Sequence, residues 1–267
     1  MFALIRGAGD LASGIALRLW HSGFDVAMTE IEHPTSIRRT VSFSEAVVNG
    51  RADVEDVSAQ LAENITHAKE LMKRDILPVF VDPECLCREA LRPDILIDAI
   101  LAKRNLGTKI TDAPIVIGVG PGFEGGVDCH AVIETMRGHT LGRVIYKGSA
   151  LPNTNIPGRI GGFTGERVLR APDNGVFKGT RSIGDIVEAG DIVGYVGEKP
   201  MICTIGGVLR GLLADGTQTH EGMKAGDVDP RGERDYCYTV SDKALAIAGG
   251  VLEAILHLYT AKGDFYG

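Results

Sequence analysis

The chain has no long uninterrupted apolar run: no segment approaches the ~18 residues a bilayer-spanning helix needs, so no membrane partner is expected. Positive charge is also short, with 28 Lys and Arg against 35 Asp and Glu and a formal net charge of −7. That balance argues against a broad electrostatic attraction to nucleic acid or anionic lipid, though Arg38 and Arg39 still form a local basic pair. The opening Met1-Phe-Ala-Leu-Ile-Arg6 is no secretory signal, because Arg6 and Asp10 interrupt it early and no small-residue cleavage site follows. Cysteine is sparse and irregular: Cys85, Cys87, Cys129, Cys203 and Cys237. An odd count without regular spacing implies reduced thiols in a cytoplasmic protein rather than a disulfide framework. No second pair completes a zinc set with Cys85 and Cys87, so no metal is expected. That pair could hold a soft metal or redox-cycle, but it reads first as two small side chains near a strand end.

What remains is ordinary globular material, 267 residues with 44% hydrophobic, enough for one large core plus a small satellite. Phe2 to Arg6 reads as a buried strand, and Asp10 opens a helix with Leu11, Ala12, Ile15, Ala16 and Leu19 on one face. Gly23 ends that helix, and Phe24 to Thr29 is a second strand. Strand, glycine turn, helix and strand open a doubly wound α/β sheet. Further helices are expected over Ser42 to Val48 and Asn64 to Lys73. Further strands are expected over Ile76 to Val81, Asp94 to Ala99 and Pro114 to Val119, short runs that suit parallel strands covered on both faces. After Leu151 the chain turns glycine- and proline-rich. From Glu166 to about Asp227 it becomes short strands and turns: Val168 to Ala171, Gly175 to Lys178, Ile192 to Val196, Met201 to Ile205 and Val208 to Leu213. Ser241 and Asp242 then cap a long helix that has no core of its own. The expected fold is a Rossmann-like, mostly parallel sheet with helices on both faces. A small all-β barrel-sandwich is inserted in it, and the last helix returns to the first domain. The division is 1–158, 159–232 and 233–267.

The glycine turn is the first chemical feature. Gly7 permits a tight turn, Gly9 lets a pyrophosphate approach bare backbone, and the helix start at Asp10 offers N–H groups and partial positive charge. Ser13-Gly14 falls one residue beyond the usual third glycine of G-x-G-x-x-G, so the motif is a variant. Glu30 ends the second strand, where an acid accepts bonds from both ribose hydroxyls of an adenosine and repels a 2′-phosphate. NAD or a related adenine nucleotide is therefore expected over NADP, with Arg38 close enough in sequence to weaken that preference. An empty scaffold is the alternative.

The second feature follows the strand ending at Val119. Gly120 and Gly122 form a glycine-rich stretch able to cup an anion, with Asp128, His130 and Glu134 close behind. If Cys129 to Met136 is helical, Asp128 caps it and His130 and Glu134 lie one turn apart, a general acid/base oriented by a carboxylate. The plain alternative is a helix cap and a surface pair. Asp82 and Asp98 also end strands and could face the same crevice, whereas Asp112 caps a turn at the opposite edge.

The turns Ile183-Gly184-Asp185 and Ala189-Gly190-Asp191, with Gly206-Gly207 and Glu221-Gly222, resemble a biotinyl/lipoyl-type domain. Lys199, the lysine nearest a carrier position, lies too close to the next glycine turn and precedes Pro200. It is not expected to carry biotin or lipoate.

Longer stretches resemble one family across nearly the whole chain. They are Arg6 to Gly14, Thr29-Glu30, Arg38 to Ala46, Val81-Asp82-Pro83, Asp98 to Thr108, Gly118 to Gly138, Gly148 to Thr154, Asp227 to Gly232 and Ser241 to Lys243. Together they resemble the selenium-dependent molybdenum hydroxylase accessory family, the YqeB group. That resemblance implies a maturation factor for molybdenum hydroxylases of the xanthine dehydrogenase type, binding a dinucleotide of the NAD or molybdopterin kind. An NAD(H)-dependent oxidoreductase acting on a small substrate through His130 and a non-catalytic interaction scaffold are the other readings. Whether the chain is an enzyme stays open, as does a homo-oligomer.

Overall fold

The computed structural model describes residues 1–154 and 156–261. Its elements run β1 (Phe2–Arg6), α1 (Asp10–His21), β2 (Asp25–Glu30), α2 (Glu45–Asn49), β3 (Arg51–Val54), β4 (Val57–Leu61), α3 (Ile65–Lys73) and β5 (Leu77–Val81). Next come α4 (Arg88–Leu91), β6 (Ile95–Asp98), β7 (Ile115–Val119), β8 (Ala131–Ile133), β9 (Val144–Ile145), β10 (Val168–Arg170), β11 (Gly175–Gly179) and β12 (Ile186–Val187). The chain ends with β13 (Ile192–Val196), β14 (Lys199–Ile202), β15 (Gly207–Leu212), β16 (Gln218–Thr219), β17 (Lys224–Asp229) and α5 (Asp242–Ala261).

The chain divides into two compact units, 1–34 with 43–154 and 240–267, and 35–42 with 155–239. The first is built on a nine-stranded sheet ordered β3-β4-β5-β2-β1-β6-β7-β8-β9. Every neighbouring pair from β4 to β8 is parallel, and the antiparallel β3 and β9 close the two edges. Numbered among the parallel strands from β1 and leaving β4 aside, the order is 3-2-1-4-5-6, which places the switch point beside β1. Ala3, Leu4, Ile5, Ile95, Leu96, Ile97, Ile115, Val116 and Ile117 are all buried, as strands covered on both faces must be.

Side-chain alternation assigns the faces. Leu4, Ala27, Leu96 and Val132 share a core cluster with Ala68 and Leu71 of α3. The opposite face carries α5, whose Gly250 approaches Ile133, and α1, whose Gly14 approaches Ala244 of α5. By length and composition α5 could cross a membrane, against the expectation that no segment would. Here it is a core helix, burying Ala244, Ile247, Ala248, Val251, Ala254 and Ile255 in the first unit.

Other expectations change. The stretch 129–136 is no helix: Ala131 to Ile133 is a strand extending the sheet beside β7. Its Ala-Val-Ile core favours a fully buried strand, and the apolar run is too short to signal helical period. The β3–β4 hairpin was unforeseen, because its turn at Glu55-Asp56 carries no glycine; Glu55 takes φ 52 instead. Segment 35–42 belongs with the second unit rather than the first. Ile37 packs on that unit's core and accepts a 2.7 Å hydrogen bond from the Leu212 N–H. Residues 233–239 join the same unit, not the final helix.

The second unit holds two four-stranded antiparallel sheets, β10-β17-β15-β12 and β14-β13-β11-β16, around Phe177, Val193, Leu209, Leu212 and Val228. The strand expected over Met201 to Ile205 falls instead on Lys199–Ile202, and β17 was not foreseen. Buried Asp227 pairs with Arg167 and Arg210, and buried Asp229 with Arg210 and Arg231.

Candidate functional site

The glycine turn sits at the carboxyl end of β1, between β2 and β6. Gly7 has φ 101, and a Cβ there would stand 3.1 Å from the Ala99 backbone, so both chain direction and space demand glycine. Its N–H donates to the Thr29 carbonyl at 2.8 Å, closing the turn on β2. Gly9 is the extended N-cap of α1 and brings no side chain of its own to the helix start. Its first-turn amides thus point toward the sheet's carboxyl edge, with Asp10 folded back to accept from the Leu11 N–H at 2.9 Å.

Glu30 aims at this turn. One carboxylate oxygen accepts from the Ala8 N–H at 2.9 Å and the other from the Ile31 N–H at 2.8 Å. Burial pushes its pKa up, and the two amide donors only partly offset that. A carboxylate has about four lone-pair positions, so each oxygen keeps room for one further donor.

Other expected cofactor residues act on the protein itself. The Ser13 hydroxyl donates to Ala8 O and accepts from the Phe43 N–H. A Cβ on Gly14 would stand 2.7 Å from that of Ala244, so this glycine serves helix packing rather than a ligand. Arg38 lies in the second unit, its guanidinium donating to the carbonyls of Tyr236 and Thr239. It is committed there rather than to a 2′-phosphate beside Glu30.

The second glycine loop is filled from within. A Cβ on Gly122 would stand 2.5 Å from the Arg104 backbone, and one on Gly118 the same distance from the Phe123 ring, which is itself buried. Gly120 has φ 84 and donates to the Ile133 carbonyl. Asp128 accepts from the Glu124 N–H at 2.9 Å. His130 and Glu134 bracket β8 at opposite ends instead of sharing a helix face. His130 lies at the amino end, where its Nδ1 accepts from the Val116 N–H at 3.0 Å. Glu134 lies at the carboxyl end, buried, accepting from the N–H groups of Met136 and Leu151. Four strand residues span ~13 Å, so the expected acid/base pair is not formed.

A site the sequence did not announce lies on the α3 face. Arg6 is buried, and its guanidinium reaches Asp98 at 3.2 Å, Thr108 Oγ1 at 3.1 Å and the carbonyls of Pro83 and Leu106. It ties the loops after β5 and β6 to the end of β1. Asp98 also accepts from the Thr108 hydroxyl at 2.6 Å, and Asp82 accepts from the Cys87 N–H at 2.7 Å. Arg6, Cys85, Arg88, Thr108 and Asp112 line a cavity of about 240 Å³. The signal available was a lone charge at the end of an apolar strand. In the second unit, Lys199 opens β14 with its ammonium 2.8 Å from Asp173.

The first unit is thus a mostly parallel α/β sheet of doubly wound order, with a glycine turn and a strand-end acid at its switch point. No family model matches the chain. It is 52% identical over 255 residues to the uncharacterized protein YqeB of Escherichia coli (strain K12), which supports the YqeB resemblance. That match takes in 96% of this chain but 47% of the relative, so the chain spans about half the length of the curated protein it matches. Among solved structures, an aspartoacylase family protein of Mesorhizobium loti aligns over 85% of this chain and 84% of its own, at TM-score 0.29 and 10% identity. The succinylglutamate desuccinylase/aspartoacylase of Rhodobacter sphaeroides covers 84% and 86%, at TM-score 0.26 and 12% identity. Neither supports a transfer of fold or function.

Proposed function

We propose that the first unit is a Rossmann-like domain that binds a dinucleotide, NAD or one of the molybdopterin kind. Its pyrophosphate rests over Gly7 to Gly9 and its ribose on Glu30. One observation carries this: the Glu30 carboxylate is held at the glycine turn by the Ala8 N–H with lone pairs to spare. A desolvated carboxylate gains from added hydroxyl donors, and the start of α1, whose glycine N-cap brings no side chain, suits a phosphate. Glu30 would repel a 2′-phosphate, and Arg38 is engaged elsewhere, which favours NAD over NADP. Following the YqeB resemblance, we assign the chain as a cytoplasmic accessory factor in maturing molybdenum hydroxylases of the xanthine dehydrogenase type. Its second unit would be an unmodified relative of biotinyl/lipoyl domains. A hydride-transfer enzyme with His130 as proton donor gains no support from that residue's place at the amino end of β8.

Calorimetry against NAD, NADP and molybdopterin dinucleotides tests the ligand class. Saturable binding to a dinucleotide, lost in Gly9→Asp, is expected. No binding to any of them overturns the proposal. Co-purification of the chain with a hydroxylase from its host tests the accessory role separately.

A further inference from the structure

The cavity of about 240 Å³ beside Arg6 contains an ion pair that is mostly withdrawn from water yet not closed. Arg88 Nε stands 3.5 Å from Asp112 Oδ1, with the two side chains 23% and 12% exposed. Arg88 Nη1 donates to the Cys85 carbonyl at 2.8 Å, which fixes the guanidinium in place. Its Nη2 makes no hydrogen bond among the described residues. Asp112 Oδ2 accepts from the Lys109 N–H at 2.8 Å, whereas Oδ1 accepts no hydrogen bond among them. Polar groups withdrawn from water are ordinarily hydrogen-bonded. A donor and a carboxylate oxygen left side by side at one void therefore mark a place for a ligand that supplies both partners. The charges around the void otherwise cancel, because Asp98 matches Arg6 at 3.2 Å as Asp112 matches Arg88. The remaining surface is largely apolar, with Leu96 buried at the floor and Leu86 and Leu106 exposed at the rim.

We propose that this cavity binds a free α-amino acid with an apolar side chain. An α-amino acid carries its carboxylate and its ammonium on one carbon, the complement of a guanidinium and a carboxylate standing side by side. The ligand carboxylate accepts from Arg88 Nη2, and its ammonium donates to Asp112 Oδ1. A simple carboxylate would meet Asp112 with no donor to offer, and a simple amine would meet Arg88 with a like charge. Only a zwitterion serves both groups and brings no net charge into the void. Its side chain lies over Leu96 and between Leu86 and Leu106, gaining from their apolar surface. At about 30 Å³ per water-sized group the void takes roughly eight such groups, which suits an amino acid of leucine's size. Glu84, exposed on the rim, turns away an acidic side chain by like charge. This site goes beyond the dinucleotide reading and does not rest on it.

The test is titration calorimetry of the full chain with L-leucine, with three analogues as controls. N-acetyl-L-leucine lacks the ammonium, L-leucinamide lacks the carboxylate, and L-glutamate carries an acidic side chain. Leucine should bind saturably at one site per chain, and each control should bind at least ~tenfold more weakly. Asp112→Asn keeps an acceptor for the Lys109 N–H but loses the charge. It should weaken leucine by at least ~tenfold and abolish the preference over N-acetyl-L-leucine. Arg88→Gln should abolish the preference over L-leucinamide. Should that variant unfold by circular dichroism, Asp112→Asn and the analogue series decide the matter without it. Absence of saturable leucine binding overturns the proposal. So does N-acetyl-L-leucine or L-leucinamide binding as tightly as leucine, or an Asp112→Asn variant with wild-type affinity. Competition between leucine and NAD for one site overturns it as well. Neither Arg88 nor Asp112 belongs to the Gly7–Gly9 turn, so either reading can fail while the other stands.

Discussion

Replacing Glu30 by Ala removes both acceptors at the glycine turn at once. The Ile31 N–H lies on an exposed residue and turns to water, but Ala8 is fully buried, so its N–H loses the carboxylate it donates to. An unsatisfied buried donor costs about 1–3 kcal/mol. Relief from burying a carboxylate returns part of that, leaving a net loss of about 1–2 kcal/mol. For a chain of this length the melting point should fall by roughly 2–8 °C. The ligand effect is larger. Losing ribose hydroxyl bonds to a charged acceptor costs about 1.5–3 kcal/mol, or roughly 10- to 150-fold in Kd. Glu30→Gln keeps one acceptor but turns an amide donor toward the other N–H, so it should fall between wild type and Glu30→Ala on both readouts. The pH dependence has a definite sign. The folded pKa of Glu30 is raised, so in the free protein its stabilising contribution is fully present below the ordinary carboxyl range and lost as pH rises through the raised value. Ribose hydroxyls prefer the ionised form, so dinucleotide affinity should instead rise with pH across that window. It should be flat there in Glu30→Gln. Differential scanning calorimetry and titration calorimetry between pH 4 and pH 7 read both. A Glu30→Ala protein with wild-type melting and wild-type affinity refutes the assignment, as does a wild-type affinity independent of pH.

Gly14→Ala places a methyl 2.7 Å from the Ala244 Cβ, where ~3.5–4.0 Å is normal. Overpacking of ~1–3 kcal/mol, less ~1 kcal/mol of helix propensity, should leave it destabilised by up to ~2 kcal/mol. Adding Ala244→Gly should restore packing in a double-mutant cycle by denaturant unfolding, and strict additivity would sink the packing role. His130→Ala should cost ~1–3 kcal/mol by orphaning the Val116 N–H while leaving dinucleotide affinity unchanged; a matching loss of affinity would return His130 to the site. Burial alone would raise the carboxyl of Asp229, but hydrogen bonds from Arg231 and the charge of Arg210 hold it below the ordinary carboxylate range. Its contribution is therefore present above the unfolded pKa of ~3.9 and lost as pH falls through the lower folded value, so melting should hold from pH 7 to 5 and drop below pH 4. A fall that begins near neutrality contradicts this.

How much of this was legible depended on whether the signal was local. β1, the glycine turn, α1 and β2 were readable because strand, turn and helix each obey a short-range rule, and Glu30 follows from where β2 stops. The conditional helix over 129–136 could not be decided from sequence because three apolar residues, Ala131 to Ile133, carry no period, and their pairing with β7 is set by sheet completion rather than by propensity. Gly14 and Gly122 looked like ligand glycines. Only the approach of Ala244 and of the Arg104 backbone reveals them as packing glycines, and neither contact has a sequence signature. Ile37 was hidden for a similar reason, since eight residues leave one unit to complete the core of the other.

β1 ends by serving both faces of the sheet, and this allows its two features to be separated. Arg6 shares the face of Leu4 and so reaches under the loops that hold Cys85, while the next residue, Gly7, turns the backbone toward α1. Arg6→Lys keeps the charge but has no planar fork. An ammonium offers three donors where the guanidinium now serves Asp98, Thr108 and the carbonyls of Pro83 and Leu106. The loop after β5, which Arg6 holds through the Pro83 carbonyl, should loosen, read as several-fold faster hydrogen exchange at the Cys85 and Cys87 amides. The Gly7 N–H bond to Thr29 belongs to the backbone and should persist, leaving dinucleotide affinity within about twofold of wild type. Parallel loss of both properties would mean that the strand end moves as one piece and that the sheet does not insulate its two faces.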